Sequence, residues 1–182
     1  IKDILTTVHT QFYNSGGMNG YGGTTVNPGN SAFPANLSTL YIESGLRPDQ
    51  VAIGVPSCGL AASSGQITPA QAVAAYNAMI YGTTVDGFTP PKAYPTFRGL
   101  MTWSINWDAT QDYAWGKAAK EAINNSPTVE QPTAAPTTAA PTVTDRYTAD
   151  RSYWINSNFS KWCRIYICMG TDRRADCFRS VL

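Results

Sequence analysis

Across residues 4–125, apolar and polar positions alternate between short strand-like runs and longer helical stretches. Ile4 to Asn14 (ILTTVHTQFYN) is rich in β-branched and aromatic residues and stops at Ser15-Gly16-Gly17, which predicts a strand running into a loop. A Gly/Asn/Thr/Pro-rich loop extends from Ser15 to about Ala35. Asn36 to Gly45 predicts a short helix closed by its terminal glycine. Gln50 to Val55 (QVAIGV) is an apolar run of the kind buried on both faces of a parallel sheet. Thr68 is set to cap a helix with Pro69 at its first position, running to Gly82. Arg98 to Trp107 predicts a third strand, and Asp112 to Asn124 a third helix. The order β-α-β-α-β-α implies an α/β fold of parallel strands joined by helical crossovers. Three such units do not close a barrel. They leave an open sheet with an exposed edge along Ile4–Asn14, so the pattern predicts a further N-terminal part and, without it, an insoluble or molten chain.

Composition divides the chain into three. Residues 1–125 carry six Lys/Arg against seven Asp/Glu, and residues 146–182 carry seven against three. Between them, Ser126 to Thr144 (SPTVEQPTAAPTTAAPTVT) spaces prolines among Thr, Ala and Val, which predicts an extended, solvated linker at 126–144. Residues 145–182 then form an Arg-rich tail with Cys163, Cys168 and Cys177, an odd number that leaves one thiol unpaired. After such a linker the tail reads either as a small binding module or as the product of a shifted reading frame. With a formal net charge of +1, no overall field recruits nucleic acid or an anionic membrane. Apolar runs such as Gly99-Leu100-Met101 fall far short of the roughly 18 residues of a membrane span. The chain opens Ile1-Lys2-Asp3, without Met or an apolar leader, so we expect either a removed leader or an internal piece of something longer.

Candidate chemistry gathers at strand ends. Alternation puts His9, Gln11 and Tyr13 on one face of the first strand and Val8, Thr10 and Phe12 on the other. Polar side chains near the C-terminal end of a parallel strand are placed to line a ligand site, although Gln11 and Tyr13 would equally serve to satisfy buried polar groups. His9, the only histidine, lies deeper and reads as structural. In the third strand Met101, Trp103 and Ile105 share a face, where the indole is either core or a flat floor for a sugar ring. Trp107 and Asp108 follow at the strand's end, within reach of a cleft. Metal-ligand spacing, a phosphate loop and a Gly-x-Ser-x-Gly elbow are all missing from the sequence, and no cofactor is implied. The glycines at 16–23 read as a flexible lid, and Cys58 as a free or partly buried thiol.

Three segments, Gln11-Phe12-Tyr13-Asn14, Gln50 to Pro56 and Arg98 to Asp108 (RGLMTWSINWD), together resemble the last three strands of a glycoside hydrolase of family 18, the chitinases. The resemblance covers residues 1 to about 125 and implies the C-terminal portion, about strands six to eight, of a (β/α)8 TIM barrel. It also implies secretion and a substrate of chitin or N-acetylglucosamine oligosaccharides. Family 18 enzymes cleave β-1,4 links with retention by substrate assistance, the sugar's own acetamido oxygen attacking the anomeric carbon. Carried over residue by residue, the resemblance makes Tyr13 the donor to the acetamido carbonyl and Gln11 the polar group beside it. Trp103 becomes the floor of the −1 subsite, with Met101 and Asn14 as further substrate contacts.

The family's D-x-x-D-x-D-x-E signature, whose Glu is the general acid, occurs nowhere in the sequence; Asp172 to Asp176 lies beyond the linker. The expectation is therefore the C-terminal part of a chitinase catalytic domain, an enzyme of chitin hydrolysis whose general acid is outside this chain, so that the chain alone does not hydrolyse chitin. A chitin-binding, lectin-like barrel and a non-functional fragment remain as alternatives.

Overall fold

The computed structural model describes residues 4–127 and 165–168. Its main sheet has strands β1 (Thr7–Thr10), β4 (Val51–Pro56), β5 (Gly99–Trp103) and β6 (Ile165–Cys168) in the order β5-β4-β1-β6. β4 runs parallel to both β1 and β5, with Val8 opposite Val51 and Gly54 opposite Met101. Helices α1 (Ala32–Glu43) and α2 (Pro69–Tyr81) make the crossovers, and α3 (Ile105–Ala109) and α4 (Ala114–Asn124) follow β5. The β-α-β-α-β-α reading of residues 4–125 thus matches the order of the main elements, with a short two-stranded hairpin before α1 and the helix α3 added.

β4 is buried along its whole length, and its outward side chains Val51, Ile53 and Val55 join the core beneath the helices. Ala72, Ala75, Tyr76 and Met79 of α2 belong to the same core, as do Phe33 and Leu37 of α1. Phe12 continues this face past the end of β1, stacked on Tyr41 and edge-on to Phe33 with ring centroids 6.1 Å apart in both cases. α2 begins as the sequence predicts. Thr68 Oγ1 accepts from Gln71 N at 3.2 Å while Gln71 Oε1 accepts from Thr68 N at 2.9 Å, a reciprocal cap with Pro69 where its missing N–H costs nothing.

Five expectations are corrected. The first strand is limited to Thr7–Thr10, with Ile4 67% exposed and Asn14 at φ 54° turning the chain away. Its outer edge is not bare, because β6 pairs with it antiparallel, Thr7 opposite Cys168 and Thr10 opposite Ile165. α1 starts at Ala32, four residues early, because Asn30 Oδ1 accepts from Phe33 N at 2.9 Å and Pro34 falls in the first turn, where no intrahelical donor is needed. The glycine-rich segment is not a loose lid. It folds into a hairpin of β2 (Met18–Asn19) and β3 (Thr25–Val26), fastened to α1 by Tyr21 N donating to Asn36 Oδ1 at 2.7 Å. The third strand ends at Trp103, four residues short, and Ile105 stands 69% exposed on α3 instead of sharing a face with Met101. The linker at 126–144 and the tail at 145–182, including the pairing of Cys163, Cys168 and Cys177, lie outside the described residues apart from Ser126, Pro127 and β6.

Candidate active site

The face of the sheet turned away from α1 and α2 holds His9 opposite Ala52, Gly54 opposite Met101, and Pro56 opposite Trp103. Small residues line its centre and larger ones its flanks. Gly54 is required there for space. A Cβ at this position would collide with the Thr10 carbonyl oxygen and come within 2.6 Å of Met101 Cε. The close approach lets Gly54 N donate to Thr10 Oγ1 at 3.2 Å and lets Phe12 N reach Gly54 O at 2.9 Å. The ladder from β4 thereby continues past β1 and carries Gln11 and Tyr13 to the C-terminal end of the sheet, where α/β folds assemble their sites.

Gln11 is 9% exposed, and its Nε2 donates to Tyr13 O at 3.3 Å. Tyr13 is buried, at 4% exposure. Asn14 N donates to Ser64 O at 3.1 Å, and its Oδ1 accepts from Ser63 N, Ser63 Oγ and Ser64 N at 2.9, 2.8 and 3.2 Å. On the other flank the Trp103 carbonyl accepts from Ser57 N at 2.9 Å and lies 3.4 Å from Ser57 Oγ, and a cis peptide joins Trp103 to Ser104. The Trp103 side chain is 44% exposed, and Met101 is half-buried between it and Gly54. His9 is half-buried on the same face. Burial first, and the Arg98 cation second, hold its imidazole below the usual histidine range, so it is neutral at pH 7.

Asp108 does not reach a cleft. It is 1% exposed, and its two carboxylate oxygens accept from Trp115 N at 3.0 Å and Gly116 N at 2.9 Å, so the charge sits at the N-terminus of α4. Trp107 is half-buried on α3 beside it. Cys58 is a free, half-buried thiol at the start of the loop that follows β4. Among the described residues, no group of three or more His, Cys, Asp or Glu side chains is arranged to hold a metal ion, and no helix is long and apolar enough to cross a membrane.

The structure therefore brings Gln11, Tyr13 and Asn14 together by chain continuity and sets Met101 and Trp103 two strands away at the same end of the sheet. The residues that fasten them, Gly54, Ser57, Ser63 and Ser64, were not singled out from the sequence. A glycine inside the apolar run 50–55 is the one signal that pointed to any of them, since it marks a close backbone approach. The serines carry no such mark.

No protein-family model matches the chain. Chitinase D of Niallia circulans is 34% identical over 143 residues, an alignment covering 70% of this chain and 27% of that protein. The crystal structure of a family GH18 chitinase from Chromobacterium violaceum superposes with a TM-score of 0.62 at 33% identity, covering 66% of this chain and 36% of that one. The chain contains a family 18 chitinase-like region. A putative chitinase A from Streptomyces coelicolor gives a TM-score of 0.66 at 40% identity, over 68% of this chain and 42% of its own. The chain thus spans about a quarter of the length of that curated chitinase and less than half of either solved one.

Proposed function

We propose that residues 1–125 supply strands six to eight of a (β/α)8 barrel and, with them, the sugar-gripping part of a chitinase site. In this reading the substrate is chitin or an N-acetylglucosamine oligosaccharide. Cleavage is retaining and substrate-assisted, so no protein carboxylate serves as nucleophile. The Tyr13 hydroxyl donates to the acetamido carbonyl and stabilises the positive oxazolinium-like intermediate by holding that group in place, with Gln11 as the polar neighbour. Trp103 provides the apolar floor, Met101 lines it, and Asn14 stands at the rim. Residues 126–144 act as a spacer to the separate tail at 145–182, the arrangement of a secreted polysaccharide-degrading enzyme. Neither nucleic acid nor a membrane is a partner.

The observation that carries this reading is the placement of Gln11 and Tyr13 after β1 and of a 44% exposed Trp103 at the end of β5, at the same end of one sheet with β4 between them. The likeness to named chitinases over the same residues supports it independently. A second reading, a chitin-binding barrel that does not cleave, would use the same Tyr13 and Trp103 to grip the sugar.

Titration of the full chain with N-acetylglucosamine tetramer, followed by Trp fluorescence, tests the grip. A chromogenic chitobioside tests turnover. We expect saturable binding that Trp103→Ala abolishes and Tyr13→Phe weakens about tenfold, the cost of one lost hydrogen bond in a desolvated site. We expect no turnover from this chain. Absence of binding overturns both readings, and turnover by the pure chain overturns the separation of grip from acid catalysis.

A further inference from the structure

The geometry points to Asn14 as a positioning residue, whose carboxamide oxygen pins the loop after β4 against Tyr13 and so fixes where the tyrosine stands. The inference rests on the reading that Tyr13 grips the sugar, and it gives Asn14 a role other than touching the sugar. Three donors converge on one atom: Ser63 N, Ser63 Oγ and Ser64 N reach Asn14 Oδ1 at 2.9, 2.8 and 3.2 Å. An amide oxygen has two lone pairs, so three donors saturate it. The main chain ties the same two segments once more, through Asn14 N donating to Ser64 O at 3.1 Å.

The next residue of that loop bears directly on Tyr13. A Cβ built on Gly65 would lie 2.7 Å from Tyr13 Cα and 2.9 Å from Tyr13 Cβ, and Gly65 holds a φ of +86° that side chains rarely adopt. Nothing separates loop and tyrosine, so a displacement of residues 63–65 is a displacement of Tyr13. Asn14 itself sits at φ 54°, a left-handed conformation that Asn and Asp tolerate better than most residues. Residue 14 thus needs an acceptor and a left-handed backbone together.

All three side-chain bonds end on the oxygen, and this separates the proposal from a direct sugar contact through the amide nitrogen. Asn14→Asp keeps the acceptor and the backbone preference but loses the NH2 donor. Asn14→Gly keeps the backbone and loses the acceptor, and Asn14→Ala loses both. The full chain carrying each variant is examined by amide hydrogen exchange at Ser63 and Ser64, by the NMR shifts of the Tyr13 ring, and by titration with N-acetylglucosamine tetramer.

We expect Asn14→Gly and Asn14→Ala to release the two serine amides, move the Tyr13 ring signals and raise the tetramer Kd about tenfold, while Asn14→Asp restores all three readouts. Unchanged exchange and ring shifts in Asn14→Gly overturn the clamp. An Asn14→Asp variant with intact protection and ring shifts but the weak binding of Asn14→Ala overturns it in favour of an amide–sugar contact. If the unmutated chain binds no tetramer, the sugar-site reading fails, and exchange and ring shifts still decide whether residue 14 positions Tyr13.

Discussion

On the helix side of the sheet, Val51, Ile53 and Val55 are sealed under α1 and α2. On the opposite side the same strands present Ala52, Gly54 and Pro56, flanked by a half-buried His9, a half-buried Met101 and an exposed Trp103. One face is filled by branched side chains. The other is hollowed by small ones, and its large residues stand at the margins. Alternation along a strand allows this division of labour, because neighbouring positions answer to different neighbours. Burial of branched apolar side chains is concentrated on the first face, and small residues are concentrated on the second.

The sharpest way to break the comparison is to truncate matched positions. Ile53→Ala removes a side chain with no exposure and should cost about 4 kcal/mol, whereas Met101→Ala, half-buried on the hollow face, should cost about 1 kcal/mol. Urea midpoints at unchanged slope measure both, and equal losses would refute the asymmetry. Next in size, Gly54→Ala should destabilise by about 3 kcal/mol, since the Thr10 carbonyl it meets is backbone and yields only if β1 and β4 part. Adding Met101→Ala should not rescue it. Recovery would show that the Met101 methyl, not the carbonyl, sets the limit.

Asp108→Ala should cost about 2 kcal/mol, because it strips two backbone donors at the start of α4 of their acceptor. Tetramer affinity should stay as it was. A loss of binding at unchanged stability would return Asp108 to the cleft.

The smallest effects are in the pH dependence, and the two faces differ there as well. His9 has a folded pKa below 6.5, so below that pH the unfolded chain takes up the proton first. Its contribution is complete above about pH 6.5 and is lost as the pH falls to the folded value. Glu43 on α1 is held below 4.5, first by its bond with Lys92 at 3.0 Å and then by Tyr94 Oη donating at 2.9 Å. Its contribution is present above pH 4.5 and disappears below it. Urea melts at pH 7.5, 5.5 and 3.5 should show the upper step vanish in His9→Gln and the lower step shrink in Glu43→Gln. An upper step that survives in His9→Gln would remove the imidazole from the account.

Much of the helix-covered side was legible in the sequence. QVAIGV has no polar position to divide it, so it reads as a doubly buried strand, and Thr68-Pro69 writes its own helix start. The end of the third strand was not legible. RGLMTWSINW alternates Thr102, Ser104 and Asn106 with Trp103, Ile105 and Trp107, the period of a strand, and nothing local reveals the turn into α3, which is held by Asp108 N donating to Ser104 O and by a carboxylate satisfying α4. The start of α1 was hidden for a similar reason, since Asn30 and the distant Asp86, which accepts from Ser31 N at 2.7 Å, arrange it. At the candidate site the motif QFYN marked its own residues. Their partners at Ser63 and Ser64 lie 49 and 50 positions away, and no periodicity records a hydrogen bond of that span.

β4 bonds sideways in both directions at its C-terminal end. Gly54 O holds Phe12, the loop beyond Ser57 holds Asn14, and Ser57 itself holds the Trp103 carbonyl. The eleven residues between Pro56 and Thr68 therefore work as a jig that sets the spacing between the end of β1 and the end of β5. Lengthening such a segment by a single residue shifts both strand ends at once, whereas a loop bordering one strand can grow freely. Its length is a dimension of the sheet's C-terminal rim.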